Sequence, residues 1–382
     1  LRVAQVLTSW PGDGVRSAYE HIVRLPPAHR MLVAADGAKV ERYWFPENVS
    51  ELHLKSDDEY VEAFLEIYTQ AVADRLHSQR AVGVTLSGGL DSGSVLAIAA
   101  NLQRERDEGL IAYTSTPLSD TTSYTDRRRI GDEAQLAQAT VGYSGGVEHH
   151  LVRSESVTPL GGIERMLWVH DEPGHAAANQ FWIAALLEAA REQGVGVLLT
   201  GQGGNATISW QGAAENLLPV LLDGDISAFW QAFENARRNA NLGYWRGARR
   251  HLLKPLLGPL WFQVQKRWKP RREPWRGYSA INPVFARSIK LRQHMAEAGY
   301  IPGLIPIDPL RQRLRIIRPG EIVLGASWLE KGAAYGLEVR DPTQDRRVIE
   351  FCLAVPETQF QRGGEDRWLI RRGMQGYLPD AV

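Results

Sequence analysis

The run Val82-Gly83-Val84-Thr85-Leu86 leads without a break into Ser87-Gly88-Gly89-Leu90-Asp91-Ser92, and then into Val95-Leu96-Ala97-Ile98-Ala99-Ala100. An unbroken apolar run of this length suits a strand buried on both faces, as in a parallel sheet. The second run reads as the start of a helix packed on that sheet. Between them lies a turn with two glycines, two hydroxyls and one carboxylate. Glycine lets the backbone approach an anion and turn its N–H groups towards it. The helix N-terminus adds the positive end of its dipole. Ser87 and Ser92 can donate to phosphate oxygens, and Asp91 can hold Mg²⁺. No lysine follows the second glycine, so this is not the Gly-x-x-x-x-Gly-Lys-Ser/Thr loop. The competing reading is a strand–turn–helix corner with chance glycines. Six fitting positions in the right context weigh against it.

Strands and helices alternate around this turn. Asp57 to Leu76 reads as an amphipathic helix, with Tyr60, Phe64, Leu65, Tyr68 and Leu76 near helical spacing. Leu110 to Ser115, His149 to Val152 and Val195 to Thr200 read as strands. Asp132 to Val141, Leu160 to Val169 and Phe181 to Gln193 read as helices. Such alternation predicts an α/β fold with a doubly wound parallel sheet. Ligands of such sheets sit at the carboxyl ends of the strands, where Ser87, Ser115 and Gly201 fall. After Asn205 the strand signals stop, and Leu217 to Trp261 and Ser327 to Leu353 read as largely helical. Residues 1–52 differ: Met31 to Ala35 and the turn at Asp36-Gly37 suggest short strands, and Tyr43-Trp44-Phe45-Pro46 closes the segment.

Bulk properties narrow the function class. The 382 residues can hold one large core or two domains, and 44 basic residues balance 44 acidic ones. No global field therefore attracts nucleic acid or a membrane. The one cysteine, Cys352, excludes an internal disulfide framework and fits a reducing, cytoplasmic setting. The longest apolar candidate, Phe181 to Ala190, is interrupted by Glu188 and falls short of the ~18 residues that span a bilayer. No signal peptide is evident. The chain begins at Leu1 rather than Met, as a piece of a longer protein would. Twelve tryptophans suit a core or a groove for a bulky apolar ligand. Lys266 to Arg276 is basic, aromatic and broken by proline, and reads as a solvated loop or one that meets an acidic or peptide partner.

The first loop resembles the pyrophosphate-binding (PP-loop) turn of ATP pyrophosphatases. Three further segments sharpen the resemblance. Leu198-Leu199-Thr200-Gly201-Gln202-Gly203-Gly204-Asn205 is a second strand ending in a glycine-rich turn. Leu337-Glu338-Val339-Arg340-Asp341-Pro342 is followed by Asp345-Arg346-Arg347 and Glu350-Phe351. Together with Ser-Gly-Gly-Leu-Asp-Ser, these occur in the same order in the asparagine synthetase family. The resemblance covers 53–382, and residues 1–52, with Arg24-Leu25-Pro26-Pro27-Ala28-His29, look like the end of that family's β-rich glutaminase domain. The implied architecture is a PP-loop α/β domain with added C-terminal helices, preceded by a glutaminase-like remnant.

The resemblance implies ATP and Mg²⁺ as cofactors. Leu86, Ser87, Gly88, Gly89, Asp91, Ser92, Ser115, Thr200 and Gly201 would bind the nucleotide, and Asp91 and Asn205 the metal. The departures are specific. The family's glutaminase nucleophile is an N-terminal cysteine, and position 1 is leucine, so no glutamine hydrolysis is expected. Cys352 reads as core. The family's second turn carries Glu and Asp where this chain has Gln202 and Asn205. Its catalytic lysine, in Lys-x-x-Leu-Arg, is replaced by Arg367 in Arg367-Trp368-Leu369-Ile370-Arg371. Arginine keeps the charge but does not titrate near neutrality. His170, Asp171 and Glu172 form the best acid–base cluster before the fourth strand, with a polar helix end as the competing reading; Asp171 and Glu172 are carried as candidate bases.

This divergent set is similar to the macrolactam-forming branch typified by lasso peptide cyclases. The implied activity adenylates an Asp or Glu side chain of a leader-free precursor peptide, and the peptide's N-terminal amine closes the ring. A leader protease and a leader-binding protein are the implied partners. The alternatives are an asparagine synthetase-like or β-lactam synthetase-like ligase acting on a small metabolite, and a nucleotide-binding scaffold without catalysis. A tRNA-modifying reading would use Arg127-Arg128-Arg129 and the basic loop at 266–276; zero net charge weighs against it.

Overall fold

The computed structural model describes residues 1–382 apart from 11, 13, 122, 124–130, 173–175, 212–216, 218–220, 222, 223, 225, 254, 255, 258–272, 274, 299–307, 318–323, 363 and 364. The chain divides into two compact units. One comprises Glu51–Trp210, Leu324–Val355 and Arg367–Val382; the other comprises Leu1–Ser50, Gln211–Val323 and Pro356–Asp366.

The first unit holds the sheet. Its elements are α1 (Asp57–Ala73), β1 (Ala81–Thr85), α2 (Leu90–Glu105), β2 (Leu110–Thr116), α3 (Ala134–Ser144), β3 (Val147–Arg153), α4 (Pro159–His170), α5 (Gln180–Glu192), β4 (Val195–Leu199), α6 (Leu324–Ala334), β5 (Glu338–Arg340), α7 (Arg346–Ala354) and α8 (Trp368–Gly373). The strand order is β3-β2-β1-β4-β5 and every pairing is parallel. The expected α/β fold with a doubly wound parallel sheet is therefore the observed one. β1 and β4 are buried on both faces, which is why their sequences read as unbroken apolar runs. Gly83 leaves little room in β1: a Cβ there would lie 3.0 Å from the Tyr113 ring and 3.1 Å from Leu198, so those side chains would have to give way.

α1 begins where Ser56 accepts from the Glu59 N–H, with three acidic residues in its first turn to meet the helix dipole. Its apolar stripe buries Tyr60, Phe64 and Tyr68. Tyr113, Ile183, Leu186, Leu187, Val195, Leu198, Trp328 and Leu337 form the core on one sheet face. Cys352 is buried in α7, as a core residue.

Two expectations need correction. Strand pairing does not stop after Asn205: β5 extends the sheet beside β4, Val197 opposite Glu338 and Leu199 opposite Arg340. Three residues with a charge at each end carry no apolar signal, and the Arg340 guanidinium pairs with Glu338 at 2.6 Å. The 327–353 stretch is accordingly helix, strand and helix rather than all helix. Arg2–Leu7, moreover, forms a helix that was not expected.

In the second unit, His29–Ala34 and Gly37–Arg42 make the expected hairpin around the 36–37 turn. The Arg2–Leu7 helix contributes Ala4 to a cluster with Trp10, Trp275, Ile281, Leu291 and Met295. Leu217, Phe229, Ala232 and Phe233 form another. Arg127-Arg128-Arg129 and most of the 266–276 loop lie outside the described residues. Among the described residues no helix is long and apolar enough to cross a membrane.

One buried charge in the first unit predicts a pH effect. Lys331 on α6 is 3% exposed, with its ammonium 5.3 Å from the Trp328 ring centroid. Burial pushes its pKa down to about 8, against the opposing charge of Glu330. The unfolded chain therefore holds more protons between about pH 8 and the ordinary lysine range, and stability should rise with pH across that window. Lys331→Met is expected to stabilise the protein at pH 7 by on the order of 2 kcal/mol, a gain that fades towards pH 10. Thermal unfolding of both proteins across that range checks it; a gain that does not shrink with pH contradicts it.

Candidate functional site

The carboxyl ends of β1, β2 and β4 open into a cleft of about 790 Å³. Leu86 leaves β1 with its N–H bonded to the Tyr113 carbonyl at 2.8 Å. Ser87, Gly88 and Gly89 then turn into α2, whose N-cap is Gly89. The Ser87 N–H donates to Ser92 Oγ at 2.9 Å, and the two serine hydroxyls bond each other at 2.8 Å. The Gly89 N–H donates to Ser87 Oγ, and the Gly88 N–H to Glu133 Oε2, both at 3.3 Å. The loop thus gathers three backbone donors at a helix N-terminus, where phosphate oxygens can be received; of these residues Ser87 lines the cleft, while Gly88 and Gly89 are not among its lining residues. Gly88 must be glycine, since a Cβ would lie 2.8 Å from Leu136.

The second turn closes on the first. A Cβ on Gly201 would lie 2.7 Å from the Asp91 carbonyl carbon, and one on Gly204 would lie 2.3 Å from the Asp91 carboxylate. Asp91 and the 201–205 turn are therefore in direct contact. Asp91 Oδ1 is buried with no hydrogen-bond partner among the described residues. Burial raises its carboxyl above the usual carboxylate range, the nearby Ser209 hydroxyl and the Arg367 charge oppose this, and Asp341 reinforces it. A buried, partnerless carboxylate oxygen beside a phosphate loop is the donor that a hard divalent cation takes, so the residues fit Mg²⁺ held by one carboxylate plus substrate phosphates. Arg367, in the left-handed region at φ 58°, donates from Nη2 to Asn205 Oδ1 at 3.4 Å.

Leu86, Ser87, Asp91, Ser92, Ser115, Gly201, Gln202 and Asn205 all line the one cleft. Thr200 lies on the other side of the same turn, in an adjoining cavity of about 460 Å³, with its hydroxyl buried and without a hydrogen-bond partner among the described residues. Asp171 and Glu172 are not among the cleft residues. Asp171 caps the end of α4 in the left-handed region and is exposed, while Glu172 is buried. The neighbouring His170 turns to Glu330 on α6.

The sequence reading missed several cleft residues. Glu133 reaches the Gly88 amide from just before α3. Thr116, Ser154 and Tyr113 bring buried hydroxyls that have no partner among the described residues. Burial lifts the Tyr113 phenol to about 12, with Glu148 adding to the effect. Val157, Pro159, Phe181, Trp182 and Leu186 make the far lobe apolar. Thr116 could have been found from its place at the end of the second strand. Ser154 and Trp182 carry no local signal.

The asparagine synthase family model matches residues 63–297 and 330–382. Asparagine synthetase [glutamine-hydrolyzing] 3 of Bacillus subtilis is 24% identical over 387 residues, covering 97% of this chain and 54% of that protein. Amidase chry2 of Gibberella zeae is 29% identical over 202 residues, covering 51% of this chain and 29% of that one. The chain thus spans about half the length of the first relative and less of the second. Among solved structures, an NH3-dependent NAD synthetase from Campylobacter jejuni aligns at 13% identity over 66% of this chain and 100% of that one, with a TM-score of 0.25.

Proposed function

Since the chain belongs to the asparagine synthase family, we propose that it is an AMP-forming carbon–nitrogen ligase that closes a macrolactam in a ribosomally made peptide. The observation that supports this most is the meeting of the Ser87–Ser92 loop, Asp91 and the Gly201–Asn205 turn in one cleft, with Arg367 on Asn205. Residues 1–52 are read as the remnant of a glutaminase-like domain.

In the proposed reaction a substrate carboxylate oxygen attacks the α-phosphorus of ATP and pyrophosphate leaves. A neutral amine then attacks the acyl carbon, loses its proton, and AMP leaves. The Ser87, Gly88 and Gly89 amides and the Ser87 and Ser92 hydroxyls would take the pyrophosphate oxygens, displacing the internal bonds described above. Ser115 and Gly201 would lie against the nucleoside. Mg²⁺, held by Asp91 with Asn205, would supply charge neutralisation on the phosphates. Arg367 would meet the charge that develops at phosphorus, the kind of fixed electrostatic help that dominates such catalysis. Gln202 carries no titratable group, which suits an α-amine of pKa near ~7.8 that is already partly neutral. Asp171 is exposed and does not line the cleft, so the reading assigns it no step.

Incubation with Mg·ATP and a leader-free candidate peptide tests the proposal by mass spectrometry. The expected product weighs one water less than the linear peptide, has no free N-terminus, and forms one-to-one with AMP. The match to an asparagine synthetase favours a second reading, a ligase for a small amino acid. AMP formation with free aspartate and ammonia, and with no peptide, would establish that reading and overturn the macrolactam.

A further inference from the structure

Asp341 stands at the end of β5, behind the second turn and outside the cleft that faces the first loop. Each of its carboxylate oxygens accepts two hydrogen bonds. Oδ2 accepts from the Gly203 N–H at 2.8 Å and from Gln344 Nε2 at 3.2 Å. Oδ1 accepts from the Thr343 N–H at 2.9 Å and the Thr343 hydroxyl at 2.6 Å. Two neighbouring bonds tie the same segment to the same turn. The Thr200 N–H donates to the Arg340 carbonyl at 2.9 Å, and the Thr207 hydroxyl to the Thr343 carbonyl at 2.9 Å. The 340–343 segment therefore grips the turn at its entry, its middle and its exit.

The middle grip is the charged one, and hydrogen bonds to an ionised acceptor are roughly twice as strong as neutral ones. It is also the grip nearest the cleft residues. Gly203 lies between Gly201 and Gly204, the two residues that close on Asp91, and precedes Asn205, which meets Arg367. Gly203 itself has no slack, because a Cβ would lie 2.3 Å from Gln344 Cγ.

We infer that Asp341 is a positioning residue for the cleft: its carboxylate fixes the path of the Gly201–Asn205 turn and so sets Gln202, Asn205 and the surroundings of Asp91. The consequence for catalysis rests on the ATP reading above; the consequence for the turn does not. This gives a positioning role to a residue that does not line the cleft. It also explains why an acid stands at the end of this strand, where it accepts from the Gly203 and Thr343 amides and from the Thr343 and Gln344 side chains.

The test is Asp341→Asn in the full chain, read in two ways. The first is residue-resolved amide exchange, with β1 and β4 as internal references. Exchange at Gly203 should rise by about tenfold or more, the scale of a lost charge-assisted bond, while β1 and β4 keep their protection. The second is calorimetric titration of ATP with and without Mg²⁺. The affinity gained from Mg²⁺ should shrink by about tenfold, since the surroundings of Asp91 are no longer held. Asp341→Glu keeps the charge and displaces it, and should loosen Gly203 in the same direction even where the asparagine variant does not fold. Unchanged exchange at Gly203, uniform acceleration that includes β1 and β4, or a loosened turn with the full Mg²⁺ advantage would each overturn the inference. A wild-type protein that binds no ATP would sink the ATP reading and leave the exchange result standing.

Discussion

Asp91→Asn should lower Mg·ATP-dependent pyrophosphate release by at least about 100-fold without loss of folded protein, the scale seen when one transition-state contact is removed. The carboxylate is the charged group between the two glycine turns, and its Oδ1 has no hydrogen-bond partner among the described residues. Asparagine keeps the shape and removes the charge that a cation needs. Stability should move the other way. Burial raises the Asp91 carboxyl above its ordinary range, so the folded state favours the protonated acid. Stability from this group is then full at low pH and lost as pH rises through the raised value. At neutral pH the uncharged asparagine should therefore melt no lower than wild type, and the two proteins should converge in acid. Pyrophosphate release and thermal unfolding measured on the same preparations check both halves. Turnover close to wild type would remove Asp91 from the site.

Gly201→Ala should be as damaging, by a different route. The added Cβ would lie 2.7 Å from the Asp91 carbonyl carbon, 2.8 Å from its oxygen and 2.9 Å from the Ser92 nitrogen. All three are backbone atoms at the start of α2, where no side chain can swing aside. The turn or the helix start must move, at a cost of about 1–3 kcal/mol by the overpacking scale. Nucleotide binding should be lost with it, because the same two segments form the cleft. Calorimetry with Mg·ATP and a melting curve give the two readouts. A variant that binds as wild type does would show that the turns are not held against each other.

Much of this is legible in the sequence. β1, β2 and β4 announce themselves because both faces are covered and every position can be apolar. Helix ends were less visible: the 132–141 expectation became Ala134–Ser144, since the chain gives no strong stop before Gly145. β5 was invisible because three residues, two of them charged, owe their strand conformation to the neighbouring β4. Within the site, the first loop could be read from residue chemistry alone. The pairing of Arg367 with Asn205 spans 162 positions and was not foreseen; the order of family motifs pointed to each residue separately. Asp341 was quoted as part of such a motif, yet its bond to Gly203 spans 138 positions and no local pattern reports it. Asp171 and Glu172 show the converse case, since neither is among the residues that line the cleft. Adjacent acids in a sequence look like a site, but direction is set by the helix end, which leaves Asp171 exposed while His170 turns to Glu330.

The central claim is that this cleft joins a substrate carboxylate to AMP. Labelling that carboxylate with heavy oxygen tests it most directly. Attack on the α-phosphorus transfers one carboxylate oxygen to the phosphate of AMP when the amine displaces it. The account predicts one labelled oxygen in AMP per amide formed and none in pyrophosphate. Label recovered in inorganic phosphate with ADP, or amide formed with unlabelled AMP, would contradict it.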